Sequence, residues 1–169
     1  MSELIMRTAG SDDIVQLAEM RYDYTLEDHP ELAVTDEQKR DYTDEMHEFL
    51  EEAIGSENWV VWVAEYGSEI VAHAYLEMIR KVPRPGKATK PFIYMTNVYT
   101  RPRHRGLGIG TRLTQVIEQW SRELDHDFIV VWPSGRGEDF YAKNGYTACS
   151  VPMELKLSVE SGQKRSSVL

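Results

Sequence analysis

The chain has 169 residues, 41% hydrophobic and 28% charged, a net charge of −9 and a single cysteine, which fits one globular domain with a real core. Cys149 alone excludes an internal disulfide and fits a reducing cytoplasm, while no apolar run reaches the ~18 residues of a membrane span and the N-terminus lacks the apolar core of a signal peptide. The charge is split, with 20 acids and 5 bases in residues 1–80 (−15) against 8 and 14 in residues 81–169 (+6), so either the surface is merely solvated or an anionic ligand sits by the second half and a cationic one by the first.

In chain order, "LIMRT" (4–8) reads as a strand, and Ser11 as the cap of a helix carrying Ile14, Leu17 and Ala18 on one face. Thr35 and Gln38 form a capping box, and the helix behind them carries Tyr42, Met46, Phe49, Leu50 and Ala53 at helical spacing. "WVVWVAEY" (59–66) and "EIVAHAYLEM" (69–78) read as strands joined by a Gly67-Ser68 hairpin turn. A Pro/Gly/Lys loop (82–90) leads to the strand "PFIYMTNVYT" (91–100). Ile109, Leu113, Val116, Ile117, Trp120 and Leu124 define an amphipathic helix, and "DFIVVW" (127–132) a buried strand. "EDFYAKN" (138–144) is a short helix closed by Gly145, and "YTACSVPMELKL" (146–157) returns as strand. One α/β domain over 1–157 is expected, followed by a polar tail over 158–169 that frays.

Between the fourth strand and the long helix lies "RPRHRGLGIGTRL" (101–113). A glycine turn feeding a helix N-terminus is an anion site, because the first helical N–H groups lack internal partners and glycine admits a phosphate close to the backbone. Thr111 occupies the position at which both the dinucleotide fingerprint and the P-loop require glycine, so neither pattern fits. Arg103-x-x-Gly106-x-Gly108 does match the [QR]-x-x-G-x-[GA] signature of the GNAT superfamily, the acyl-CoA-dependent N-acetyltransferases. "NVYTRPRHRGLGIGTRL" resembles that family's strand, loop and long helix, "FYAKNGY" (140–146) resembles its later segment, and the element order is similar from residue 4 to about 157.

The resemblance implies a mixed, mostly antiparallel central sheet with helices on both faces and a splayed strand pair forming the acetyl-CoA slot. Amides of Arg105, Gly106, Leu107, Gly108, Ile109, Gly110 and Thr111 would hold the coenzyme A pyrophosphate, with charge added by Arg103 and Arg105. The main chain of Val98, Tyr99 and Thr100 would pair with the pantetheine arm, beside a bulge near Asn97 or Tyr99. Ser134 sits where the family often places a coenzyme-contacting Asn or Ser. A main-chain N–H around Tyr99 would face the developing oxyanion, and Tyr141 matches the tyrosine that faces the departing sulfur and protonates it. Tyr22, Tyr24, Glu27, Asp28 and His29, which end the first helix and open the next loop, fall where the family lines its acceptor pocket. Many members carry a glutamate in the strand before the loop; here Met95-Thr96-Asn97 stand there. Glu77 and His73 are stand-ins for the missing base, each more simply read as a solvent-facing strand residue, and a water chain serves equally.

The expected activity is transfer of acetyl to a primary amine of a small molecule. The split charge points to a cationic one, entering past Glu27, Asp28 and the acids of residues 36–54. A peptide or protein amine, and a non-catalytic acyl-CoA-binding module, stay open as alternatives, as does a homodimer. The five histidines lack metal-ligand spacing, so no metal is expected. The net acidity, and the lack of aromatics among the bases of 81–90, argue against nucleic acid. Cys149 is read as a buried thiol, and Trp59, Trp62, Trp120 and Trp132 as core.

Overall fold

The computed structural model describes residues 3–135 and 137–155. Five strands, β1 (Leu4–Thr8), β2 (Trp59–Tyr66), β3 (Glu69–Ile79), β4 (Phe92–Thr100) and β5 (Ile129–Val130), form one sheet in sequence order. The first four pair antiparallel, and β5 runs parallel to β4 through Ile93↔Ile129 and Tyr94↔Val130. Four helices complete the fold: α1 (Ile14–Asp28), α2 (Asp36–Gly55), α3 (Ile109–Glu123) and α4 (Glu138–Lys143).

Alternation along the strands splits the core in two, because successive side chains leave opposite faces of the sheet. On one face Val61, Val63, Ile70, Tyr75 and Tyr99 pack under Leu17 and Met20 of α1 and Leu50 of α2. On the other, Trp62, Ala64, Leu76, Ile93 and Met95 pack under Leu113 and Ile117 of α3. Each fully buried leucine contributes about 1.5–3 kcal/mol of transfer free energy. Thr35 and Gln38 cap α2 reciprocally, the Gln38 amide donating to Thr35 Oγ1 at 3.2 Å and the Thr35 amide to Gln38 Oε1 at 2.9 Å. Gly67 turns the β2–β3 hairpin at φ 69°.

Several expectations are corrected. Ser11 does not cap α1; it opens a 3-10 turn, and Asp13 accepts the Gly10 amide at 2.8 Å while paired with Arg7. The strand expected over 127–132 shrinks to two residues, because β4 turns away beyond Tyr94 and Pro133 has no N–H to offer a ladder. Trp132 is therefore not core: it is 68% exposed, its ring 4.3 Å from that of Tyr94. Residues 146–155 form no strand, and Val151, Met153 and Leu155 are exposed. Residues 156–157 of that expected strand and the tail over 158–169 lie outside the described residues. Cys149 is exposed rather than buried.

Candidate functional site

The glycine turn leaves β4 through a 3-10 turn at Pro102–His104 and enters α3 at Ile109. Gly106 and Gly108 take φ of 75° and 74°, the left-handed region that side-chain-bearing residues resist. No atom lies within 4 Å of where a Cβ would project from either, so the cradle is open above the backbone. The Arg112 amide donates to Gly108 O at 2.9 Å, which leaves the amides of Ile109, Gly110 and Thr111 free of helical bonds at the positive end of α3. At Gly110 a Cβ would meet the Phe140 ring at 3.4 Å, so this glycine lets α3 and α4 approach closely.

The arginines around this turn are already engaged. Arg103 pairs with Glu69, and Arg105 grips Glu27 with two bonds of 2.7 Å while its Nε donates to Thr100 O at 2.8 Å. Arg103 and Leu107 lie outside the cleft walls, whereas Arg105, Gly106, Gly108, Ile109, Gly110 and Thr111 line them.

Beside the turn the sheet opens. Between the pairs His73↔Tyr99 and Tyr75↔Thr96, the two residues Asn97 and Val98 stand opposite Ala74 alone, a β-bulge. Asn97 takes φ 48°, a conformation asparagine tolerates better than most residues. His73 sits beneath it, and its Nδ1 donates to Asn97 O at 2.8 Å. His73 is fully buried, not solvent-facing as expected, and desolvation pushes its pKa down to about 3, so it stays neutral. Beyond Tyr94 no strand pairs with the outer edge of β4 among the described residues.

The resulting cleft encloses about 930 Å³. One wall is Val98, Tyr99 and Thr100 of β4, and the facing wall is Trp132, Pro133 and Ser134. Tyr141 closes one side; its ring packs edge-on against Phe140 and Tyr146, and burial, helped by Tyr24 and Tyr94, pushes its phenol up to about 12. It therefore holds its proton at neutral pH. The Tyr99 side chain belongs to the core face, stacked on Tyr24 with centroids 5.3 Å apart, so any part it plays in the cleft is a main-chain part.

The acceptor end differs from expectation. Glu27 and Asp28 do line the cleft, but Tyr22 and Glu77 do not. Tyr22 lies one residue around α1 and packs on Tyr42 beneath the Lys39 ammonium. Glu77 stands in register with Trp59 and Tyr94, three positions short of the bulge. The acids of α2 do not surround the mouth either: α2 contributes Met46 and Phe49, and its acids are exposed. Tyr24 and His29 line this end together with Glu27 and Asp28, whereas sequence reasoning missed Arg21, Thr25, Phe49, Trp59 and Tyr75, which line it as well. The one available signal was the polar stripe Arg21, Thr25, Asp28 on α1, spaced by four and three residues.

Among the described residues, no group of three or more His, Cys, Asp or Glu side chains gathers as a metal site, and no helix is long and apolar enough to cross a membrane.

The model of the acetyltransferase (GNAT) family matches residues 17–146. A predicted acetyltransferase from Clostridium acetobutylicum, solved with acetyl-CoA, superposes with a TM-score of 0.75 at 26% identity, covering 92% of this chain and 97% of that one. An aminoglycoside N-acetyltransferase in complex with CoA shares the fold at a TM-score of 0.69 and 12% identity, covering 92% and 95%. The "Acetyl transferase GW6a" of Oryza sativa subsp. japonica is 40% identical over 76 residues, 40% of this chain but only 18% of the rice protein. With its family-model match over most of its length, its curled five-stranded sheet and the opening beside the glycine turn, the chain belongs to the acetyltransferase (GNAT) family.

Proposed function

We propose that this protein transfers acetyl from acetyl-CoA to a primary amine of a small molecule, by direct attack within the cleft between β4 and β5. The observation that carries the reading is the meeting of two features: the open cradle of Gly106 and Gly108 adjoins the point where β4 bulges away from its neighbours. The relatives add support, one solved with acetyl-CoA and another acting on aminoglycosides.

The turn offers a diphosphate the amides of Ile109, Gly110 and Thr111, which lack helical partners, beside open space at Gly106 and Gly108, where nothing lies within 4 Å of a Cβ position. Because Arg103 and Arg105 are held by Glu69 and Glu27, these amides carry more of the anion binding than the arginines do. The outer edge of β4 over Val98–Thr100, whose other side is paired with β3, offers donors and acceptors to an extended arm, as an added strand would. Bound acetyl-CoA supplies the acetyl group as an activated thioester.

The residues of the chain then handle the charge. A main-chain N–H at the bulge, around Tyr99, is placed to donate to oxyanion charge as it develops. Tyr141 holds a phenolic proton where a leaving thiolate needs one, and its low acidity lets it recover that proton afterwards. No carboxylate of β4 removes the proton of the amine, and His73 is sealed beneath the bulge, so the proton leaves through water or main-chain carbonyls. The expected preference for cationic amines keeps only part of its basis, because Glu27 is tied to Arg105 and the acids of α2 do not line the cleft, while Asp28 does.

The test is thiol release from acetyl-CoA across a panel of primary amines, with the amide product identified by mass. Amine-dependent release supports the reading; tight acetyl-CoA binding with no release above hydrolysis for any amine would make the protein a binding module.

A further inference from the structure

The acceptor end of the cleft holds an arginine that forms no salt bridge with the described residues, although Glu27 and Asp28 line the same end. Arg21 projects from α1 into this end; it is half-buried, its Nη1 donates to Asn97 Oδ1 at 3.3 Å, and its guanidinium lies 5.4 Å from the Tyr24 ring centroid. Arg7, Arg101, Arg103 and Arg105 each pair with a carboxylate, but among the described residues none pairs with Arg21. Burial pushes the phenols of Tyr42 and Tyr75 up and the imidazole of His73 down; the charge of Arg21 offsets a part of the first shift and adds a smaller part to the second.

Opposite the polar stripe of α1 that carries Arg21, Thr25 and Asp28, the wall of this end is aromatic and apolar. Phe49 meets Trp59 edge-on at 5.3 Å and stacks on Tyr75 at 6.3 Å, with Met46 alongside. A guanidinium in such a wall has shed part of its hydration, and its planar fork matches a carboxylate through two parallel bonds. An ammonium brought to the same place would meet like charge in a medium that screens poorly. Arg21 also bonds the very residue at which β4 bulges, so a carboxylate held by Arg21 lies only a few bonds from an amine at the opening of the strand.

We infer that the acceptor is an amine carrying its own carboxylate a few bonds away, with an apolar or aromatic side chain: a free hydrophobic amino acid, its carboxylate on Arg21 and its side chain among Phe49, Trp59 and Tyr75. The inference rests on the acetyl-transfer reading above and names the substrate class for that site.

The experiment compares L-phenylalanine, L-phenylalaninamide and phenethylamine as acceptors for wild type, Arg21→Gln and Arg21→Lys. Wild type should favour phenylalanine over the other two by about 10²-fold in kcat/KM, the range of a lost charge-assisted bond. Arg21→Gln should bring that ratio close to one, mainly through KM, and Arg21→Lys should restore part of it. Calorimetry with N-acetyl-phenylalanine and its amide gives a second readout that needs no coenzyme: wild type should bind the acid more tightly, and Arg21→Gln should bind both alike. Equal turnover of all three amines by wild type, or an equal loss for all three in Arg21→Gln, overturns the assignment of Arg21 while leaving acetyl transfer intact. Turnover of no amine by a wild-type protein that binds acetyl-CoA overturns both.

Discussion

The two ends of the cleft are built in opposite ways. The coenzyme end is local: the turn at Gly106–Gly108 and the first turn of α3 lie within six residues, and backbone angles set their shape. The acceptor end is assembled from Arg21 and Tyr24 on α1, Phe49 on α2, Trp59 on β2, Tyr75 on β3 and Asn97 on β4. On the proposed reading one end recognises with amides, whose chemistry hardly depends on residue identity. The other recognises with side chains, so substitutions there change what binds without touching the means of activation. Generic activation is thereby separated from specific recognition, and Tyr141 stands where they meet.

The largest effect is expected at that junction. Tyr141→Phe should lower kcat by about 10²-fold while acetyl-CoA affinity changes little, as expected when a proton donor is removed but the ring is kept. Stopped-flow thiol release alongside calorimetry checks this. An unchanged kcat would return Tyr141 to packing and leave the junction without a chemical group.

A smaller effect joins both ends through His73, whose ring packs against Tyr75 on one side and Tyr99 on the other while holding the bulge at Asn97. Its folded pKa, about 3, lies below the unfolded value of 6.5, so the unfolded chain binds the extra proton between these values. The neutral ring's contribution is therefore complete above pH 6.5 and is lost as pH falls toward 3, by about 3 kcal/mol at pH 4. Urea unfolding from pH 7 to pH 4 should show this slope in wild type and a shallower one in His73→Gln, whatever that variant's own stability. Parallel slopes would mean that the bulge does not depend on a neutral His73.

The same contrast explains what the sequence discloses. β1 to β4 and α1 to α3 were legible, because alternation in "WVVWVAEY", helical spacing from Ile109 to Ile117 and the Thr35–Gln38 box are local signals. The glycine turn was legible because positive φ demands glycine at fixed positions. β5 was over-read: "DFIVVW" is apolar enough for a buried strand, but the bulge at Asn97 withdraws its partner after two residues. The strand expected over 146–157 was over-read in its described part, as Val151, Met153 and Leu155 alternate along the chain but stay exposed and unpaired. Tyr22 and Glu77 were misplaced because one residue around a helix, or three along a strand, removes a side chain from a cavity. Arg21 gave little sign of itself, since an arginine on a surface helix is ordinarily solvated; only the folded chain brings it beside Asn97 and into the cleft, where its proposed role lies.

The division of the cleft is tested most directly by titrating acetyl-CoA calorimetrically into wild type, Gly108→Val and Arg21→Gln, each verified as folded. A β-branched residue at φ 74° must distort the cradle, so Gly108→Val should lose affinity by about 100-fold or more. Arg21→Gln should bind as wild type does. Wild-type affinity in a folded Gly108→Val, or a matching loss in Arg21→Gln, would contradict the assignment of coenzyme to one end and acceptor to the other.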